Sequence, residues 1–190
     1  MKSSIDDFDL HRLRRDFIIG WKHLCSDMRA VIIYMSIHNG NTKKIGEVMA
    51  KRLEAKLIRA VEAEVEDLLN YDLLGFGSGI YFGRNHGTLL KLLDKFPTVQ
   101  NKYAFIFSTS ALGKFPIIHD YHKALKRKLL RKGFKILGEF TCRGYSTHGP
   151  LKLFGGIHKG RPDKNDLETA SRFAEQIKNT YLKESELRGD

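Results

Sequence analysis

The 190-residue chain is 42% hydrophobic, which is enough for one ordinary core, and its formal net charge of +11 at pH 7 makes it basic. No apolar run approaches the roughly 20 residues of a membrane span, and the opening sequence MKSSIDDFDLHRLRRD is too acidic and interrupted for a secretion signal, so a cytoplasmic protein is expected. The two cysteines, Cys25 and Cys142, lie far apart without CxxC spacing, which argues against a zinc site or a disulfide framework.

Residues 1–27 are neutral and have an apolar pattern of their own. The apolar side chains recur at intervals of three or four, as on one face of a helix: Leu10, Leu13, Phe17, Trp21 and Leu24. One interpretation is an amphipathic arm for a partner or a membrane surface. The favoured one is that the folded domain spans residues 28–183, that the upstream residues are a poorly ordered extension or an artefact of start assignment, and that residues 184–190 are a tail.

From Arg29 onward, apolar strand-like runs alternate with amphipathic stretches. Strands are predicted at 30–36, 56–60, 72–78, 103–109 and 135–141. Helices are predicted near 42–54, 87–96, 119–132 and 164–182. The first, third and fourth strands are almost continuously apolar, which is typical of a parallel sheet covered on both faces, whereas the second and fifth are more broken, as edge strands are. The order predicts a doubly wound α/β fold.

The loop after the first strand is the first candidate site. Asn39-Gly40 often marks a β-hairpin, but the apolar residues that follow, from Ile45 to Leu53, have helical spacing, so a strand, a tight loop and a helix are predicted. In such a sheet, ligands bind beyond the carboxyl ends of the strands. The loop at 36–42 should therefore meet the segments at 79–84 and 108–115.

This first loop is suited to a phosphate, because backbone N–H groups at a helix start are joined by hydroxyls of Ser36 and Thr42 and by two asparagine amides. The triphosphate motif GxxxxGK[ST] is missing, and Ile80 stands where a dinucleotide fingerprint requires its last glycine. A single terminal phosphate fits best. The alternative is an ordinary helix start with Thr42 as its N-cap.

Three motifs in order, SIHNGNT, LLGFGSGIYFG and FIFSTSA, resemble those of the short-chain flavodoxin family over residues 29 to about 180. The resemblance implies a three-layer α/β/α fold with a five-stranded parallel sheet of order 2-1-3-4-5, and non-covalent FMN that carries one or two electrons. It assigns the FMN phosphate to Ser36, Ile37, His38, Asn39, Gly40, Asn41 and Thr42. It assigns one side of the flavin ring to Gly79, Ile80, Tyr81, Phe82 and Gly83. It assigns the other side to Ser108, Thr109, Ser110, Ala111, Leu112 and Gly113.

Two features differ from the family pattern. Family carriers are usually acidic, whereas this chain is basic, and a long glycine-rich connection follows the fifth strand at 142–167. Its cations are expected near the cofactor rim: Arg143, Lys152, His158, Lys159 and Arg161. Positive charge there would favour two-electron reduction of the flavin, and hence a reductase over a one-electron carrier.

His119 and His122 stand three residues apart at a predicted helix start and raise the question of a metal. Asp120 is the one carboxylate close in sequence, so a solvated helix end is the favoured interpretation. The following stretch, 122–135, separates its leucines from its lysines and arginines, which is typical of a surface helix.

Two classes of function follow. The first is an FMN-binding redox flavoprotein, either an electron-transfer protein or a small reductase for a quinone-like or porphyrinogen-like compound, working with a redox partner protein or a small-molecule electron acceptor. No acid/base pair or nucleophile is expected around the loops. The second is a nonredox binding module whose basic surface meets acidic partners or nucleic acid, although nucleic acid is not the expected partner.

Overall fold

The computed structural model describes residues 28–37, 39–81, 83–111, 120–145 and 157–187. The strands in these ranges are β1 (Ala30–Met35), β2 (Lys56–Arg59), β3 (Leu73–Tyr81), β4 (Arg84–Asn85), β5 (Tyr103–Ser110) and β6 (Lys135–Arg143). The helices are α1 (Asn41–Leu53), α2 (Val65–Leu68), α3 (Gly87–Lys95), α4 (Lys123–Arg131) and α5 (Lys164–Glu186). The predicted extension at 1–27 lies outside the described residues, and α5 continues into the first residues of the expected tail.

Five strands form a parallel sheet in the order β2-β1-β3-β5-β6, so the predicted flavodoxin-like topology and the two predicted edge strands are confirmed. The count of five was incomplete. The short β4 pairs antiparallel with the end of β3, opposite Ile80 and Tyr81. Two residues are too few to carry a periodic signal, so this hairpin could not be read from the pattern.

Helices cover both faces of the sheet, which explains the continuous apolar runs. Along β5, Phe105 and Phe107 face α1 and α5, while Ala104 and Ile106 face α3 and α4. None of the helices in the described ranges is both long and apolar enough to cross a bilayer. Cys142 lies in the hydrophobic core between the sheet and helices α1 and α5, where burial raises the pKa of its thiol to about 12.

The glycines of β3 make room for aromatic rings. A Cβ atom on Gly75 would lie 2.4 Å from the ring of Phe105, and one on Gly77 would lie 2.0 Å from the ring of Phe107. Both distances are far below van der Waals contact, so only glycine fits beneath these rings. The Gly-x-Gly spacing in β3 is therefore a packing feature, in agreement with the absence of a dinucleotide fingerprint.

The sheet changes character at its carboxyl edge, where a row of hydroxyls replaces the apolar layer. Ser78 of β3 pairs in register with Ser108 of β5, and Ser108 pairs with Thr141 of β6. Ser78 and Ser108 are fully buried. The row lies directly below the loops predicted to bind a ligand.

Candidate functional site

The loop between β1 and α1 forms a tight turn with an open helix start. Asn39 and Gly40 both adopt the left-handed conformation, with φ of 56° and 66°. Gly40 is the N-cap of α1, no side chain caps the helix, and its first turn contains no acidic residue. The backbone N–H groups at 41–43 precede the first helical hydrogen bond, from Lys44 N to Gly40 O at 3.0 Å. Uncapped N–H groups at a helix start are able to bind an anion.

Thr42 does not cap this helix, so the alternative of an ordinary start capped by Thr42 is wrong. Its side chain is only 1% exposed, and its Oγ1 shares a hydrogen bond of 2.8 Å with Oγ1 of Thr109. Thr109 lies near the end of β5, in the segment predicted to flank the ring. The bond therefore joins helix α1 to β5, the strand that carries the third predicted segment.

The two asparagine amides of the loop hold a neighbouring chain segment. The Nδ2 atoms of Asn39 and Asn41 donate to the backbone oxygen of Tyr145 at 3.1 and 2.7 Å. Gly144 permits this approach, because a Cβ atom there would lie 2.7 Å from Nδ2 of Asn41. The connection after β6 thus reaches the first loop at Tyr145. Further along this connection, Arg161 forms an ion pair of 2.8 Å with Asp166.

Tyr81 bridges the first and second predicted segments. Its hydroxyl accepts a hydrogen bond of 3.4 Å from the backbone N–H of Ile37, and its ring covers Gly79 and makes an edge contact with His86. Burial raises the pKa of the Tyr81 hydroxyl. These contacts show an aromatic side chain that anchors the loops. Gly83, with φ of 75° and open space beside it, forms the turn to β4.

Asn85, the second residue of β4, has an unpaired buried amide. The residue is 6% exposed, and neither Nδ2 nor Oδ1 has a hydrogen-bond partner, a combination found at no other side chain in the described part of the chain. An unmet buried donor or acceptor costs about 1–3 kcal/mol. The sequence prediction stopped at residue 84 and missed Asn85. The run of polar residues at 84–86, within the sequence GRNHG, was the available signal.

Ser108, His122 and Glu139 form a row of hydrogen-bonded side chains that no sequence pattern predicted. Nε2 of His122 lies 2.8 Å from Oγ of Ser108, and Nδ1 lies 2.8 Å from Oε2 of Glu139. His122 is 4% exposed, so the prediction of a solvated helix end is wrong for this residue. The expectation that no acid/base pair lies near the loops is also wrong. His119 lies outside the described residues.

The three side chains are arranged like a nucleophile, a base and an orienting carboxylate. The burial and hydrogen bonding of Ser108 differ from those of a hydrolase nucleophile. Ser108 is 0% exposed and shares a second hydrogen bond with Thr141, at 3.1 Å. Burial lowers the pKa of His122, against the opposing effect of Glu139. Lys126 pairs with both Asp120 and Glu139. These hydrogen bonds therefore connect the start of α4 to β5 and β6.

The predicted binding residues lie at one edge of the sheet, in line with the strand ends. Those described are Ser36, Ile37, Asn39, Gly40, Asn41, Thr42, Gly79, Ile80, Tyr81, Gly83, Ser108, Thr109, Ser110 and Ala111. The first segment contacts the second through Ile37 and Tyr81, and the third through Thr42 and Thr109. His38, Phe82, Leu112 and Gly113 lie outside the described residues.

Comparisons with known proteins agree with this geometry. A flavodoxin domain model matches residues 31–143. An uncharacterized protein of Methanocaldococcus jannaschii is 48% identical over 151 residues, which cover 79% of this chain and 98% of that protein. Flavodoxin 2 from Bacillus cereus superposes with a TM-score of 0.61 at 18% identity, covering 80% of this chain and 98% of its own. A flavodoxin from the domain Archaea gives a TM-score of 0.59 at 16% identity, covering 81% and 99%.

Proposed function

This chain belongs to the flavodoxin family, and from that premise we propose that it binds FMN at the carboxyl edge of its sheet and acts as a redox flavoprotein. The observation that carries the proposal is the open start of α1. Two successive left-handed residues end the loop there, and the backbone N–H groups of the first turn have no side-chain cap. A phosphate monoester is the group these features suit.

The phosphate is held by the N–H groups at 41–43, with the hydroxyls of Ser36 and Thr42 beside them. The loop itself has no cation, and Lys43 in the first turn pairs with Glu47 at 3.7 Å. Recognition therefore relies on hydrogen bonds and the helix dipole more than on ion pairs. A loop of this kind suits one terminal phosphate rather than a polyphosphate.

The ring lies between the segment that starts at Gly79 and the one that starts at Ser108. FMN, when bound, supplies the acceptance and donation of electrons. The protein positions the ring: Tyr81 fixes the second segment against the first, and the bond between Thr42 and Thr109 fixes the third. The proposed activity is electron transfer or the reduction of a small molecule.

The partner of this flavoprotein is an acidic redox protein or a small-molecule electron acceptor. Support comes from the net charge of +11 and from the exposed cations Lys123, Arg127 and Arg131 of α4. Electrostatic complementarity of this kind speeds association between redox proteins. The pairing of Arg161 with two carboxylates leaves less free positive charge at the final connection than its sequence suggests.

The test is a titration of the purified apoprotein with FMN and with riboflavin, followed by flavin absorption and fluorescence. We expect FMN to bind much more tightly, because riboflavin lacks the phosphate. Equal affinities would contradict the phosphate seat, and the absence of binding by both flavins would contradict the proposed function as a whole.

A further inference from the structure

The amide of Asn85 is the feature of the described structure that its own protein contacts do not explain. The residue is more than nine-tenths buried, and both polar atoms of its side chain lack partners. Other buried polar side chains at this edge are paired: Ser108 with His122, and Thr42 with Thr109. Buried polar groups in native proteins are almost always satisfied. A ligand that reaches Asn85 would supply the missing partners.

Asn85 belongs to the same hairpin as the segment proposed to flank the flavin ring. It lies on β4, the return arm of the hairpin, and pairs in register with Ile80 of the outgoing arm. The turn between the two arms contains Gly83, which has open space around its Cα. On its other side, β4 lies against α4, whose preceding residue His122 is bound to Ser108 of β5. The strand that carries Asn85 therefore contacts both the second predicted segment, through β3, and α4, the helix that His122 ties to the third segment.

A carboxamide selects a particular chemical edge. It presents an N–H donor beside a C=O acceptor, so its complement is a cyclic amide or imide with the same two groups in reversed order. The pyrimidine part of the FMN ring has such an edge, with N3–H between two carbonyls. We propose that Asn85 recognises this imide edge of FMN and makes the site specific for it. The inference rests on the proposed function and assigns a ring-reading residue within that site.

Two substitutions test the assignment. Asn85→Leu removes both polar atoms at similar size, and Asn85→Ala removes them and leaves space. Asn165→Leu is the matched control, because Asn165 is exposed at the start of α5, far along the chain from the predicted segments. Each protein is titrated with FMN and with FMN methylated at N3, and the apoproteins are melted in parallel.

We expect wild type and Asn165→Leu to bind FMN equally. Both should bind the N3-methyl analogue about tenfold or more weakly than FMN, because the methyl group blocks a hydrogen bond that the site makes. Both Asn85 variants should bind FMN about tenfold or more weakly, and Asn85→Ala should discriminate little between FMN and the analogue. Neither apoprotein variant should melt several degrees below wild type, since the amide has no partner to lose.

The outcomes separate the two proposals. If wild type binds FMN and both Asn85 variants bind it equally well, FMN binding stands and the role of Asn85 is overturned. Apoprotein variants that both melt much lower would show that the amide has a structural partner, such as a buried water, and would also overturn it. If wild type binds neither FMN nor its analogue, the proposed function fails together with the inference.

Discussion

Nε2 of His122 lies 2.8 Å from Oγ of Ser108, so the residue before helix α4 is bound to the carboxyl end of β5, the strand between β3 and β6. The other ring nitrogen is held by Glu139 of β6 at 2.8 Å. One imidazole thus connects three elements immediately below the proposed ring site. Its protonation state should matter for the stability of this edge.

The first prediction concerns this imidazole and pH. Burial lowers the pKa of His122 below its ordinary value of 6.5, with Glu139 and Asp120 acting in the opposite sense and Lys126 in the same sense. The unfolded chain then binds a proton at His122 more readily than the folded chain. Stability from this group is present above pH 6.5 and is lost as the pH falls below that value toward the folded pKa.

Urea unfolding of wild type and His122→Gln at pH 7.5 and pH 5.5 measures this effect. We expect His122→Gln to be less stable at pH 7.5 by about 1–3 kcal/mol, because Ser108 and Glu139 lose a partner. The same variant should lose less stability than wild type on going to pH 5.5. An identical pH dependence in the two proteins would show that His122 does not titrate in this way.

The second prediction concerns the hydroxyls of the first loop. Ser36→Ala combined with Thr42→Ala should weaken FMN binding, since hydrogen bonds to a charged group are worth about 1.5–3 kcal/mol each. The affinity for riboflavin should change much less. Thr42→Ala should also lower apoprotein stability by about 1 kcal/mol, because Thr109 loses its partner.

Calorimetric titration with both flavins measures these effects, with Thr180→Ala as the control. The Thr180 hydroxyl bonds only within α5, to the backbone oxygen of Gln176. Equal losses for FMN and riboflavin in the double variant would mean that the hydroxyls support the loop and do not read the phosphate.

The third prediction concerns the packing beneath Phe107. Gly77→Ala should destabilise the protein by about 1–3 kcal/mol, because the new methyl group would lie 2.0 Å from the ring. Phe107→Leu should relieve part of this clash, so the double variant should be more stable than the sum of the two single changes predicts. Denaturant unfolding of all four proteins gives the coupling, and simple additivity would contradict the close contact.

The fourth prediction is that a chain starting at Met28 folds and binds FMN. The described core begins with β1, and Arg29 already pairs with Asp72 at 3.1 Å. Thermal melting of the two chain lengths and the emission of Trp21 in the full chain provide the measurement. A blue-shifted Trp21 together with a melting temperature several degrees lower in the short chain would show instead that residues 1–27 dock on the domain.

The alternation of strands and helices, the two edge strands and the three loops at one edge could all be predicted from local sequence patterns. These features depend on local periodicity and on the rule that parallel strands end on the same side. The left-handed turn at Asn39 and Gly40 was also open to prediction, because these residue types favour that conformation. The alternative of a helix start capped by Thr42 could not be dismissed from the sequence, because nothing local shows that the Thr42 hydroxyl meets Thr109.

Which polar side chains meet below the loops depends on strand register and helix packing. The pairing of β5 with β6 shifts by one residue between Ala104 and Phe105, where a bulge skips Leu137. Without that shift, Ser108 would pair with Phe140, and Glu139 would face α1 and α5. A shift of one residue moves every following side chain to the other face of a strand. The bond between Glu139 and His122 and the isolated amide of Asn85 arise from register and helix docking, which no short stretch of sequence encodes.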